Sequence, residues 1–277
     1  MIRTFPQPEI ELPAQRSFKL LQAGKDAAPL RYVLADRTAS YAAITRLSSR
    51  RLAGAQASPY ASLPPMTTTL AITTSGKATL VARPVVAEVE TPTPESTQYL
   101  AGWNAIADRR VTIALDDRGQ LGTLGFVDDP TGAKIRELDD LTQRLLAIAV
   151  PLPAEPVGVG GSWRVTTVLR QRPAIVKQTA TYTLVERGDR SWKIDVEIQR
   201  VGEPQTVIDA SVPAGTAIEL VALVRKLRGT LVVDPAAPLG TGELAVDSSL
   251  HLRIRDPKLG EREEILEDTG TITLSVR

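Results

Sequence analysis

Apolar residues recur at every second position through most of this chain, the spacing that turns one face of a strand toward a core. Phe18 and Leu20, then Leu30, Tyr32 and Leu34, open the pattern. The segment Ala39–Leu52 reads either way: Tyr41, Ile44 and Leu47 mark a helix face, whereas the intervening Thr and Ser residues favour a strand. Ala53–Pro65 reads as a loop, and Met66–Thr74 with Lys77–Glu90 as a hairpin around Ser75-Gly76. Val111, Ile113 and Leu115 lead through an Asp116-Asp-Arg-Gly119 turn into Leu121–Phe126. Farther on, Trp163, Val165, Thr167 and Leu169 share a face. Tyr182 and Leu184 precede a turn at Arg187–Arg190, after which Trp192, Ile194, Val196 and Ile198 alternate with Lys193, Asp195, Glu197 and Gln199. Leu250, Leu252 and Ile254 alternate with His251, Arg253 and Arg255, and Ile272, Leu274 and Val276 close the chain. Ala217–Val233 suits a helix or a long strand, with Gly229, Thr230 and the valine pair tilting its second half to strand.

Helical spacing interrupts this pattern twice. After Thr91-Pro-Thr-Pro94, a short amphipathic helix is predicted with Tyr99, Trp103 and Ala107 on one side. A longer one is predicted over 129–149: Asp129 caps it, Pro130 takes the first position, and Ile135, Leu138, Leu141, Leu145 and Ala149 form its apolar stripe. Pro151 and Pro153 stop it. The expected fold is therefore β-rich α+β, a large curved antiparallel sheet, half-barrel-like, with one long and one short helix on its concave side. Charges confined to one strand face argue for an antiparallel sheet wet on that side, and helices between strands are too few for a parallel one. A single domain is expected, in two similar halves: 17–127 and 163–277, separated by the helix and a joint over 151–163.

Composition narrows function by exclusion. Lys+Arg 33 against Asp+Glu 32 leaves a net charge of +1, no field to draw in nucleic acid, and aromatics at 4% supply few stacking platforms. Cysteine is absent, so thiol nucleophiles and Cys-ligated zinc are out. No apolar stretch approaches the roughly 20 residues of a membrane-spanning helix. His251, the only histidine, reads as a surface residue with no local partner to orient it for catalysis. The pairs Asp116-Asp117, Asp128-Asp129 and Asp139-Asp140 read as turn, cap and helix-surface residues rather than metal ligands. Gly158-Val-Gly-Gly161 follows prolines and precedes a strand, the reverse of a phosphate loop, and reads as a tight turn. No catalytic residue, metal site or cofactor is expected.

The run Val150-Pro-Leu-Pro-Ala-Glu-Pro-Val-Gly-Val-Gly-Gly-Ser-Trp163 resembles a recurring element of secreted bacterial proteins, many from myxobacteria and their relatives. There a PxxPVxVGxxW stretch follows an amphipathic helix and introduces a β-rich second half. Leu30-Arg-Tyr32 and Asp117-Arg-Gly119 fit the same pattern, and the layout is similar to the LolA/LolB-like architecture. The resemblance implies an exported or lipid-anchored protein of the periplasm or outer membrane, holding a lipid or lipidated chain in its concavity. It transfers no functional residue. The first eight residues lack the apolar core of a signal peptide, so the exported reading expects a trimmed leader; otherwise the location would be cytoplasmic.

The expected function is non-enzymatic binding of an apolar ligand, with Leu138, Leu141, Leu145 and Trp103 as the groove wall. The alternative is an interaction protein with a filled core, pairing with a protein partner through an edge such as Thr271–Arg277. A cavity of several hundred Å³ would favour the first and a filled concavity the second.

Overall fold

The computed structural model describes residues 16–34, 36–53, 56–75, 79–105, 107, 109–126, 149–171, 174–207 and 215–277. Its strands are β1 (Arg16–Gln22), β2 (Lys25–Ala28), β3 (Arg37–Ala53), β4 (Gln56–Ala57), β5 (Ala61–Ser62), β6 (Met66–Ser75) and β7 (Thr79–Val89). One helix, α1 (Pro94–Ala105), precedes β8 (Val111–Leu115) and β9 (Leu121–Phe126). After the joint come β10 (Val157–Val159), β11 (Ser162–Gln171), β12 (Ala174–Arg187), β13 (Trp192–Gly202), β14 (Gln205–Val207), β15 (Ala217–Asp234), β16 (Ala237–Asp256) and β17 (Gly260–Val276).

Fifteen strands form one antiparallel sheet, ordered β1-β11-β12-β13-β15-β16-β17-β3-β6-β7-β8-β9, with β4, β5 and β14 beside this path. Strands from both ends of the sequence thus share one sheet. A single apolar core joins residues from strands far apart in that order, such as Ile113 on β8 and Trp163 on β11. The sheet curls until its ends approach. The β8–β9 turn joins two irregular segments, through Tyr32 N–H to Asp117 O (2.7 Å) and Leu152 N–H to Arg118 O (2.7 Å). The Arg118 guanidinium lies 5.8 Å from the centre of the Phe18 ring on β1.

The expected α+β class is overturned: the described residues are nearly all strand. The ambiguous Ala39–Leu52 lies within β3, and Ala217–Val233 belongs to the 18-residue β15. Each of these strands is paired on both sides, which settles what local spacing left open. No long helix packs on the sheet among the described residues; positions 127–148, most of the predicted one, lie outside them. Ala149, its expected last residue, bridges Leu239 in antiparallel fashion. The predicted short helix is α1. Its start is a reciprocal cap, with Ser96 N–H to Thr93 Oγ1 (3.2 Å) and Thr93 N–H to Ser96 Oγ (2.7 Å), and Pro94 at the first position.

Two further expectations are corrected. Leu30, Tyr32 and Leu34 are irregular rather than strand: residues 29–34 turn inward and bury Leu30 and Tyr32. The Tyr32 hydroxyl donates to Val150 O (2.9 Å), and its ring lies 5.7 Å from that of Trp192. Thr271–Arg277 is no free edge, because β17 is hydrogen-bonded to β16 on one side and β3 on the other. The expected turns at Asp116–Gly119 and in the joint do form, while residues 76–78, on which the expected hairpin turn falls, lie outside the described residues. Asp116 Oδ1 accepts the N–H groups of Arg118 (3.0 Å) and Gln120 (2.8 Å), and Gly160, with φ near 80°, turns the joint toward β11.

Candidate functional site

Side chains directly opposite one another in an antiparallel pair share a face, so the register can be followed from strand to strand. Above the middle of the inner face one row is apolar: Phe18, Val165, Ala180, Ile198, Leu227 and Val246. The next row toward the far ends of the long strands is polar across eight strands. It runs from Arg16 through Thr167, Gln178, Arg200 and Arg225 to Ser248, Asp268 and Ser49. Beyond it apolar pairs return, with Leu169 opposite Val176, and Leu223, Leu250 and Leu266 aligned. Burying such a row between apolar neighbours costs free energy unless its groups find partners, and Thr167, Gln178 and Arg200 are all buried.

At the β1 end of this row lies a small cavity, lined by Arg16, Thr167, Gln178 and Tyr182 together with Gly119, Pro151 and apolar side chains. Its volume is about 20 Å³, room for about one or two water-sized groups. Arg200 donates through Nε to Gln178 Oε1 at 2.8 Å, which fixes the amide orientation and leaves its NH2 as the free end. Tyr182 stacks on Trp163 with ring centres 5.5 Å apart. Burial pushes the Tyr182 phenol well above its ordinary range, so the hydroxyl remains a donor. Burial likewise lowers the pKa of Arg16, partly offset by Tyr182 and Asp116 nearby. Trp163 Nε1–H donates to Pro151 O at 2.8 Å and so pins the joint over this end of the sheet.

The glycines of this region are required by close approach. Gly119 has φ near 69°, and a Cβ there would stand 2.5 Å from the Tyr32 ring. A Cβ at Gly158 would stand 1.7 Å from Lys25 O. They allow the β8–β9 turn and the joint to close against residues 25–32.

Past the polar row, β15, β16, β17 and β3 continue beyond the closed core. The 20 residues of β16 span about 65 Å at about 3.3 Å per residue. On their inner face Leu223, Leu250, Leu252 and Leu266 are half-buried. Their outer face carries cross-strand charges. Arg253 binds Glu219 and Glu263 at 3.0 Å each, and Arg255 binds Glu261 at 2.7 Å. His251 Nε2 lies 3.2 Å from Glu263 Oε2, so the sole histidine does have a carboxylate partner, which the sequence reading missed. That partner sits on the neighbouring strand, where only register reveals it. Hydrogen bonds from Arg253 and then His251 hold Glu263 below the usual carboxylate range. The same carboxylate serves Arg253, in a charge ladder on a wet face.

Of the predicted binding residues, only Trp103 lies among the described residues. Trp103 is buried in the core on α1. Leu138, Leu141 and Leu145 lie outside the described residues.

No protein-family model matches the chain, and no curated protein does. Among solved structures, a loop-L8 deletion mutant of OmpT, an outer membrane protein of Vibrio cholerae, aligns at 9% identity over 87% of this chain and 100% of its own, with a TM-score of 0.20. In-vitro folded OmpT from the same organism, in trimer form, aligns at 8% identity over 85% of this chain and 99% of its own, also at 0.20. Similarity this slight carries no argument about fold or role. On β13, Ile194 and Ile198 are buried while Asp195, Glu197 and Gln199 are exposed, the reverse of a strand facing lipid.

Proposed function

We propose that this protein is a non-enzymatic binding module that takes an apolar ligand, a lipid or lipidated chain, on the inner face of its long strands. The observation that supports this is the set of half-buried leucines, Leu250, Leu252 and Leu266, which continue outward from the core-packed Leu223 on the inner face of the long strands. The cavity at the β1 end of the polar row, at about 20 Å³, is far too small for an acyl chain, since ligand pockets typically span about 300–1,000 Å³. The ligand therefore lies along the open leucine face rather than in the interior. An exported location belongs to this same reading and rests on the resemblance of the joint.

The small cavity also favours a second reading, in which the leucine face receives an apolar segment of a protein partner. Native mass spectrometry after gentle purification, together with uptake of an apolar fluorescent dye, tests the first. Co-purified lipid and dye uptake that falls at least twofold in Leu250→Ser support it. An absence of both bound lipid and dye uptake overturns it and leaves the protein-partner reading.

A further inference from the structure

We propose that the cavity at the β1 end of the polar row is a binding site for a carboxylate group, held by Arg16, Thr167, Gln178 and Tyr182. The set is made of donors. Arg16 contributes a guanidinium, Thr167 and Tyr182 hydroxyls, and Gln178 the NH2 left over once Arg200 Nε has taken its oxygen. Two acceptors of this region already take hydrogen bonds: Pro151 O receives Trp163 Nε1–H, and Asp116 Oδ1 receives two N–H groups of its own turn. Thr167 and Tyr182 are buried, at 4% and 1% exposure, and among the described residues neither hydroxyl makes a hydrogen bond. No carboxylate among the described residues forms an ion pair with Arg16; Asp116 acts on it only at longer range. A desolvated cation beside unpaired donors favours an anion over water. The space admits a group of about carboxylate size.

The site uses none of the half-buried leucines, so it stands or falls apart from the apolar-ligand proposal. The carboxylate can belong to a small free acid or to the head of an amphiphile, and three probes separate these cases. Acetate, dodecanoate and dodecanol are titrated calorimetrically into the full chain at constant ionic strength, in parallel with the Tyr182→Phe and Thr167→Val variants. The expected result is saturable acetate binding, weakened about tenfold or more in either variant, the usual cost of a hydrogen bond to a charged group. Both variants are conservative, and circular dichroism of each serves as the check that it folds. Tighter binding of dodecanoate than of acetate assigns the site to an amphiphile's head, and equal binding to a free acid. Absence of acetate binding, or acetate binding unchanged in both folded variants, overturns the site. Dodecanol reads the leucine face alone: its binding without acetate binding sinks the carboxylate site and spares the apolar reading.

Discussion

The β11–β13 region and the outer reaches of β15–β17 are built from the same alternating sequence, yet they are held together differently. In the first, every inward residue meets another layer. Trp163, Tyr182 and Ile194 are all but inaccessible, and their neighbours across the interior include strands from the other end of the sheet. In the second, the inner leucines remain half-wet, and cohesion falls to cross-strand ion pairs such as Arg50–Glu267 and Arg51–Glu264. Alternation therefore specifies which residues share a face. Whether that face becomes a core depends on what the sheet curls against.

The comparison breaks most readily at its apolar end. Trp163→Ala is expected to cost about 3–5 kcal/mol, the range for removing a buried aromatic, measured by denaturant unfolding. A loss under about 1 kcal/mol would mean that the covered half is no better packed than the open one.

Closure is tested next by Gly119→Ala. The left-handed backbone alone costs about 1–2 kcal/mol, and the new methyl must push the Tyr32 ring away from its place beside Trp192. The expected outcome is a lower unfolding midpoint with a changed near-ultraviolet circular dichroism signal from that ring pair. An unchanged signal would show that the β8–β9 turn does not seal the structure.

The open end gives the smallest effect. Burial raises the Glu264 carboxyl, but hydrogen bonds and charge from Arg262 and Arg51 outweigh this and leave its pKa below 4.5. A carboxylate with a lowered folded pKa adds stability above its unfolded pKa and loses it as pH falls through the folded value. Glu264→Gln is therefore expected to cost about 1 kcal/mol near neutral pH, since both arginines are substantially exposed. The variant's deficit should shrink below about pH 4.5. A deficit independent of pH would assign the loss to packing instead.

Much of the fold was legible before any coordinates. The β6–β7 hairpin, the Asp116–Gly119 turn, the short helix after Pro94 and the alternating faces of β11 and β13 follow from residue types at fixed offsets, because turn and strand sterics act locally. Residues 29–34 were read as strand because Leu30, Tyr32 and Leu34 alternate. Instead the segment is tied to Asp117, Val150 and Pro235, partners more than eighty positions away. The Glu263 partner of His251 was hidden for the same kind of reason: it sits across a strand pair, and no local rule supplies its register.

The candidate site shows the division most clearly. Sequence alone placed one polar residue within the apolar alternation of each strand: Thr167 between Val165 and Leu169, Gln178 between Val176 and Ala180, Arg225 between Leu223 and Leu227. Taken singly, each is an unremarkable interruption. Backbone pairing set these interruptions at one height beside Arg16 and Tyr182, and closure of the sheet brought Gly119 and Pro151 to the same small cavity. The side-chain period of two is a local property, written in the chain. Register and closure are long-range, fixed by which strands pair and by what the inner face can bury against.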